Sequence, residues 1–279
     1  DVKINFDLIL DIADKEPLFL APEKRDGYYH VQPGDPAGIQ KALFELVDMV
    51  GEFEKPRYIK YDSNICVHAR SSQVGCTRCL DVCPTGAITP AQDEVTIDPY
   101  ICAGCGSCAS VCPTGAASYQ LPSGNFVFER LKLLLESYRN ADGKSPILLV
   151  HDTTYGDDVI AAIAHLDQNK KWGLPANVIP FALNEVTQIG FDFLAVALAF
   201  GANTINLLVN PKNISELEGL KNQIELIETA TIGLGFGKDR VLMIEQSDPE
   251  IIAEILHSSP IHPEIIPGDF APMGTKRSL

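Results

Sequence analysis

Beyond Cys112 this chain has no cysteine, and nowhere does it have an apolar run long enough to cross a membrane. The first absence excludes a thiolate-held cluster from everything C-terminal of that residue. The second leaves Phe193 to Phe200 and its flanks, the longest apolar run, as a core helix, because a span needs about 20 such residues. No apolar secretory segment stands in the sequence, so dense thiols are expected to mean a reducing compartment or metal rather than disulfides. Positive charge is scarce: 22 Lys and Arg stand against 37 Asp and Glu, for a formal net charge of −15. So acidic a protein repels nucleic acid and anionic membrane, and complements a basic surface. Nothing resembles a nucleophile with its base. His30, His151, His165, His257 and His262 show no site spacing and read as surface or hydrogen-bonded core residues.

What the chain does have is a compact cysteine signature. Seven of its eight cysteines form Cys76-x2-Cys79-x3-Cys83-Pro84 and Cys102-x2-Cys105-x2-Cys108-x3-Cys112-Pro113. The second run is a complete bacterial-ferredoxin motif. Three closely spaced thiolates hold three corners of one cubane, and the fourth, before proline, reaches the other cluster. The runs also repeat. Subtracting 29 carries Cys105, Cys108 and Cys112 onto Cys76, Cys79 and Cys83, and Cys112-Pro113-Thr114-Gly115-Ala116 onto Cys83-Pro84-Thr85-Gly86-Ala87. Proline ends the helical turn and fixes φ where the chain leaves a cluster. Gly86, Gly104, Gly106 and Gly115 let the backbone approach inorganic sulfide closely. Two zinc sites could also use eight thiolates, but zinc explains neither the Cys-Pro pairs nor the third cysteine at x2 spacing.

The repeat fails at one place. Gln73 stands where the equivalent of Cys102 is due, and it cannot replace a thiolate on a soft iron-sulfur core. Cys66 lies seven residues upstream, so a loop from Val67 to Gln73 is expected to carry the first ligand out and back. One 4Fe-4S cluster is then held by Cys66, Cys76, Cys79 and Cys112, and the other by Cys102, Cys105, Cys108 and Cys83. Two alternatives stay open. Either Cys66 is a buried free thiol, leaving one 3Fe-4S and one 4Fe-4S cluster, or nearby His68 takes the corner. Two oxidised cubanes would add roughly −2 each, taking the charge to about −19.

At 279 residues and 46% hydrophobic content the chain can build about two modest domains. Residues 1–57 read as a strand–loop–helix segment, and Asp1 in place of Met makes it the expected remnant of a longer N-terminal region. Its strand runs from Ile4 to Ile12 and its Pro- and Gly-rich loop through Gly34. Asp35 and Pro36 then open a helix to about Phe53 with Ile39, Leu43, Leu46 and Val50 as its apolar face. Residues 58–122 form the ferredoxin domain, with Val95 to Asp98 as a strand. Residues 123–144 form a connecting helix, Phe128 to Arg139, ended by Gly143. Residues 145–260 alternate strand and helix, and residues 261–279 are a tail. The strands are Ile147 to His151, Asn177 to Leu183, Thr204 to Val209 and Arg240 to Glu245. The helices are Asp157 to Asn169, Phe191 to Phe200, Ile214 to Ile232 and Pro249 to Leu256. The fold class expected is an α+β ferredoxin-like module with two 4Fe-4S clusters, joined to an α/β domain with a parallel, flavodoxin-like sheet.

Three stretches of the α/β domain invite a cofactor. Gly233-Leu234-Gly235-Phe236-Gly237 follows a helix and precedes a strand, the reverse of a dinucleotide fingerprint, so it reads as a helix cap and turn. Asp152-Thr153-Thr154-Tyr155-Gly156 sits where flavodoxins bind phosphate, but Asp157 and Asp158 at the helix start compete with any anion. Asn184-Glu185-Val186-Thr187-Gln188 lies at the carboxyl edge of the sheet, where ligands bind in such folds, and reads as a capping loop that contacts a partner.

Several stretches carry a family resemblance: Gly51 to Arg57, Cys66 to Ser71, Gly75 to Pro84, Ile101 to Ala117, Leu149 to Asp152, Gly173 to Ala176 and Asn184 to Gln188. In them the chain resembles a bacterial family of larger cytoplasmic 4Fe-4S binding proteins, often encoded beside molybdenum formate dehydrogenase. The resemblance implies a cytoplasmic iron-sulfur protein relaying single electrons to or from a redox enzyme of that type. The C-terminal domain is also distantly similar to the small iron-sulfur subunit of methanogen-type hydrogenases, without its cysteines. Two functions are in contention. One is a non-catalytic electron carrier serving a redox protein with a basic docking surface. The other is an accessory, scaffold or redox-sensing protein with structural clusters and a partner-binding α/β domain.

Overall fold

The computed structural model describes residues 6–19, 21–68, 73–170, 173–260, 262–271 and 276. In the N-terminal segment β1 (Ile9–Asp11) pairs in parallel with β2 (Tyr28–His30), a strand inside the expected loop. The strand expected from Ile4 is therefore short, and residues 4 and 5 lie outside the described residues. Asp35 caps α1 (Pro36–Asp48), its carboxylate accepting the Gly38 N–H at 2.9 Å. This helix stops short of Phe53, at Asp48, with the Met49 N–H shared between the Glu45 and Leu46 carbonyls in its last turn. Its expected apolar face stays largely uncovered: Leu43 is 50% and Val50 74% exposed, with Ile39 and Leu46 half-buried. Periodicity tells which side of a helix is apolar, and only the tertiary fold supplies a partner for it.

The cysteine-rich module contains β3 (Ile59–Tyr61), α2 (Arg78–Asp81), β4 (Ile88–Ala91), β5 (Glu94–Ile97), α3 (Ser107–Val111) and β6 (Ala117–Tyr119). Two antiparallel pairs, β3 with β6 and β4 with β5, bracket the short helices. Its core is small, with Ile88, Val95 and Ala117 packed around Cys108.

Next comes α4 (Gly124–Asn140), which starts at Gly124 rather than Phe128. The remaining elements alternate: β7 (Ile147–Asp152), α5 (Tyr155–Lys170), β8 (Val178–Leu183), α6 (Phe191–Ala199), β9 (Thr204–Leu208), α7 (Glu218–Gly233), β10 (Val241–Ile244) and α8 (Pro249–His257). A 3-10 turn, Pro211–Glu216, stands where the sequence suggests the start of α7. The four strands form one parallel sheet in the order β8–β7–β9–β10. That is the flavodoxin-type order of strands by appearance, 2-1-3-4. Every residue of β7 and β9 is buried, because helices cover both faces.

One face packs Leu148, Val150, Phe181, Ile205 and Leu207 against α4, α6 and α7. The other packs Ile147, Leu149, Leu208 and Ile244 against α5 and α8. The helix expected as a connector is thus a layer of this core, with Leu131 and Leu135 wholly buried. Among the described residues no helix is long and apolar enough to cross a membrane.

Candidate metal centre

The two halves of the cysteine-rich module are built alike. In one, Ile97 pairs with Ile88 and the Asp98 N–H bonds to the Ala87 carbonyl at 2.9 Å. In the other, Tyr61 pairs with Ala117 and the Asp62 N–H bonds to the Ala116 carbonyl at 2.8 Å. Ala87 and Ala116 are 29 residues apart, as the sequence repeat requires, but Asp62 and Asp98 are 36 apart, the repeat plus seven. Cys66 and Cys102 are also 36 apart, each four residues after its aspartate. Cys66 therefore occupies the place in its half that Cys102 occupies in the other.

Across the stretch that holds the seven extra residues, the Gly75 N–H donates to the His68 carbonyl at 2.6 Å. Residues 69–72 of the expected loop lie outside the described residues. His68, the alternative corner, is buried with its Nδ1 2.7 Å from the Cys76 carbonyl oxygen.

All eight cysteines are free thiols. Burial raises the Cys79 thiol to about 11, and the charges that act on it next are those of Cys112, Cys76 and Cys66. Burial also pushes Cys108 far up, followed by the charges of Cys105, Cys102, Cys83 and then Cys79. Cys79 thus feels the charges of Cys112, Cys76 and Cys66, and Cys108 those of Cys105, Cys102 and Cys83 together with Cys79 itself. Backbone amides aim at the sulfurs. Burial would raise Cys112, but the Ala117 N–H, the Thr114 hydroxyl and the Thr114 and Gly115 amides outweigh it and hold this thiol below its ordinary value. Burial raises Cys105 to about 11 against the opposing Ser107 amide and hydroxyl, and raises Cys102 against the Gly104 amide. Such N–H donors are what a metal-bound thiolate uses. Among the described residues no group of three or more His, Cys, Asp or Glu side chains is placed as a single metal ion would need. Buried and half-buried thiols with amide donors beside them fit iron-sulfur chemistry.

The second of the expected quartets lies against the carboxyl edge of the parallel sheet. From the polar loop after β8, the Thr187 hydroxyl donates to the Cys105 carbonyl at 2.8 Å. The Asn184 amide donates to the Tyr119 hydroxyl at 2.8 Å and reaches the Gly104 carbonyl at 3.4 Å. Gly106, at φ 79, permits this approach, since a Cβ there would collide with Gln188. The loop therefore contacts the cysteine module of its own chain. Lys24 adds a third segment, its ammonium 2.9 Å from Glu216 and 3.5 Å from Glu185. Burial would lower the Lys24 ammonium, but Glu185, Glu216 and then Cys105 outweigh it and raise it, so a positive charge stands near Cys105. Lys24 and Glu216 carry no signal in the sequence, where each reads as a solvated surface charge.

At the start of α5 the Asp152 carboxylate accepts the Thr154 and Gly156 N–H groups at 2.9 and 3.0 Å. The glycines after α7 close that helix: the Phe236 N–H bonds to the Thr231 carbonyl at 2.9 Å, with Gly235 and Gly237 at φ 81 and 87. His151 is buried, with Nδ1 3.0 Å from the Asp152 carbonyl oxygen and 3.2 Å from the Asp157 carboxylate.

Residues 73–116 match the family described as 4Fe-4S dicluster domain. No curated protein matches the chain significantly. The matched stretch begins at Gln73, so Cys66 is placed by the structural repeat alone. Family match and thiol chemistry agree that this chain carries a ferredoxin-type, metal-binding 4Fe-4S iron-sulfur module.

Proposed function

We infer that this protein relays single electrons through two 4Fe-4S clusters, one on Cys66, Cys76, Cys79 and Cys112, the other on Cys102, Cys105, Cys108 and Cys83. The observation that carries this reading is the equivalence of Cys66 and Cys102, which supplies each half with a full set of thiols once Cys83 and Cys112 cross over. When bound, each cluster supplies a one-electron couple. The chain's own residues do the rest. Amides at Gly104, Ser107, Gly115 and Ala117 stabilise thiolate charge, and the loop after β8 packs over the Cys105 backbone. Ligand exchange between halves keeps the two clusters close, which electron transfer uses and a purely structural site does not need.

In this reading residues 58–122 carry the electrons in a cytoplasmic, non-catalytic component. The formate-dehydrogenase type of redox system is the one that the sequence resemblance implies. The net charge of −15 suits a redox protein with a basic docking surface. A second reading, a redox-sensing accessory protein, is favoured by the Thr187–Cys105 hydrogen bond, which ties the α/β region to a ligand backbone. Anaerobic reconstitution tests the carrier: about eight irons, about eight sulfides and two reducible EPR signals are expected. Stoichiometric zinc without visible charge-transfer absorption would overturn it. Altered hydrogen exchange at residues 184–188 on reduction, without electron exchange with acceptors, would favour the sensor.

A further inference from the structure

The side of the second quartet bearing Cys105 faces the loop after β8, and Cys108 is buried. Cys102 is different. It lines an open groove of about 440 Å³ walled by Tyr58, Ile59, Tyr61, Val95 and Pro99. Arg57 and Glu94 stand in the same groove. Lys55, two residues before Arg57, donates to the Tyr100 carbonyl at 2.9 Å and to Asp26 at 2.6 Å, tying residues 55 and 100 together. Phe53 lies two residues before Lys55 and is 67% exposed, and Tyr100 lies two before Cys102 and is 71% exposed. Cys102 is thus a half-buried thiol on an open groove, with the exposed Tyr100 near it in sequence, whereas Cys108 is buried. The surrounding charge is acidic: segments 52–58 and 93–102 hold Glu52, Glu54, Asp93, Glu94 and Asp98 against Lys55 and Arg57, and Lys55 is already paired.

The geometry points to the Cys102 groove as the electron port of this protein, docking a redox protein whose exposed cofactor edge is ringed by lysine or arginine. This rests on the reading that Cys102, Cys105, Cys108 and Cys83 hold a cluster. Electron tunnelling weakens steeply with distance, so the exchange surface belongs where a ligand sulfur comes nearest to solvent. Aromatic residues at the centre and opposite charge at the rim are the ordinary composition of such an interface. With a cluster held by Cys102 and its partners, the groove would pass one electron to an oxidised one-electron acceptor such as a ferric haem, which would become ferrous with no bond made or broken.

The probe is mitochondrial-type cytochrome c, a basic haem protein, mixed with the reduced, fully reconstituted chain. The wild-type rate should be fast at low ionic strength and fall steeply with salt. The triple variant Glu52→Gln, Glu54→Gln, Glu94→Gln should react about tenfold more slowly at low salt, with iron content and EPR spectrum unchanged. Phe53→Ser should weaken the complex without changing the salt slope. A control with the same loss of charge elsewhere, Glu225→Gln, Glu254→Gln, Glu264→Gln, should keep most of the wild-type rate. Carbodiimide cross-links should map to Glu52, Glu54 and Glu94. An unchanged rate in the groove variant, an equal loss in the control, a salt-independent wild-type rate, or cross-links centred on α7 and α8 would each overturn the port. Failure of the wild type to hold iron would instead overturn the cluster reading beneath it.

Discussion

Lys24 and Glu216, 192 residues apart in the chain, meet at 2.9 Å near Cys105. The Glu216 side chain is 1% exposed, and its second oxygen is buried without a hydrogen-bond partner among the described residues. Glu185 stands on the other side of the ammonium at 3.5 Å. Three segments are therefore held together by one half-buried positive charge between two carboxylates. Removing one partner of such a group strands the others in a poorly solvated place.

Lys24→Met should destabilise the protein by about 3–5 kcal/mol, because Glu216 loses its counter-charge. Adding Glu216→Gln should return much of that loss. Urea denaturation of the single and double variants measures it, and a double variant no more stable than Lys24→Met would show that the pair is not coupled.

Cys66→Ser should cost one iron of about eight and convert one EPR signal to a three-iron form, leaving the Cys102 quartet's signal intact. Introducing Gln73→Cys into that variant should not restore the lost iron, since Gln73 lies between His68 and Gly75, whose backbones hydrogen-bond across that stretch. Rescue by Gln73→Cys would mean that the halves align by 29 residues throughout.

Leu131→Ala should cost about 2–5 kcal/mol, a core-sized loss for a helix that sequence alone reads as a connector. A fragment starting at residue 123 should unfold cooperatively, whereas one starting at residue 145 should bind hydrophobic dye and exchange its β7 amides quickly. Equal protection in the two fragments would remove α4 from the core.

Stripping iron by chelation should open residues 59–119 to protease while the parallel sheet stays protected. The apolar core of the module is too small to fold it alone, so metal binding supplies folding free energy there. Protection of the module that survives iron loss would contradict this.

Much of the fold and of the candidate site is legible from neighbours in sequence. Strands β7 to β10 read as short apolar runs because each is buried on both faces, and the helices between them as amphipathic stretches. Asp35 as a cap and the glycines after α7 as a helix end are likewise local chemistry, settled within a few residues. The exposed Leu43 and Val50 show where that logic stops, since an apolar stripe does not say what will cover it.

The sequence by itself determined that seven of eight thiols stand at iron-sulfur spacing, that a repeat relates six of them, and that four strands alternate with helices. Those features rest on interactions between residues close along the chain. Only the tertiary structure decided that Cys66 stands as Cys102 does, because the equivalence is made by hydrogen bonds from Asp62 to Ala116 and from Asp98 to Ala87. It also decided that α4 belongs to the sheet's core and that Lys24, Glu185, Glu216 and Thr187 meet near Cys105. Those contacts join residues far apart in the chain, and a charge or hydroxyl looks the same in sequence whether it will face water or a buried partner.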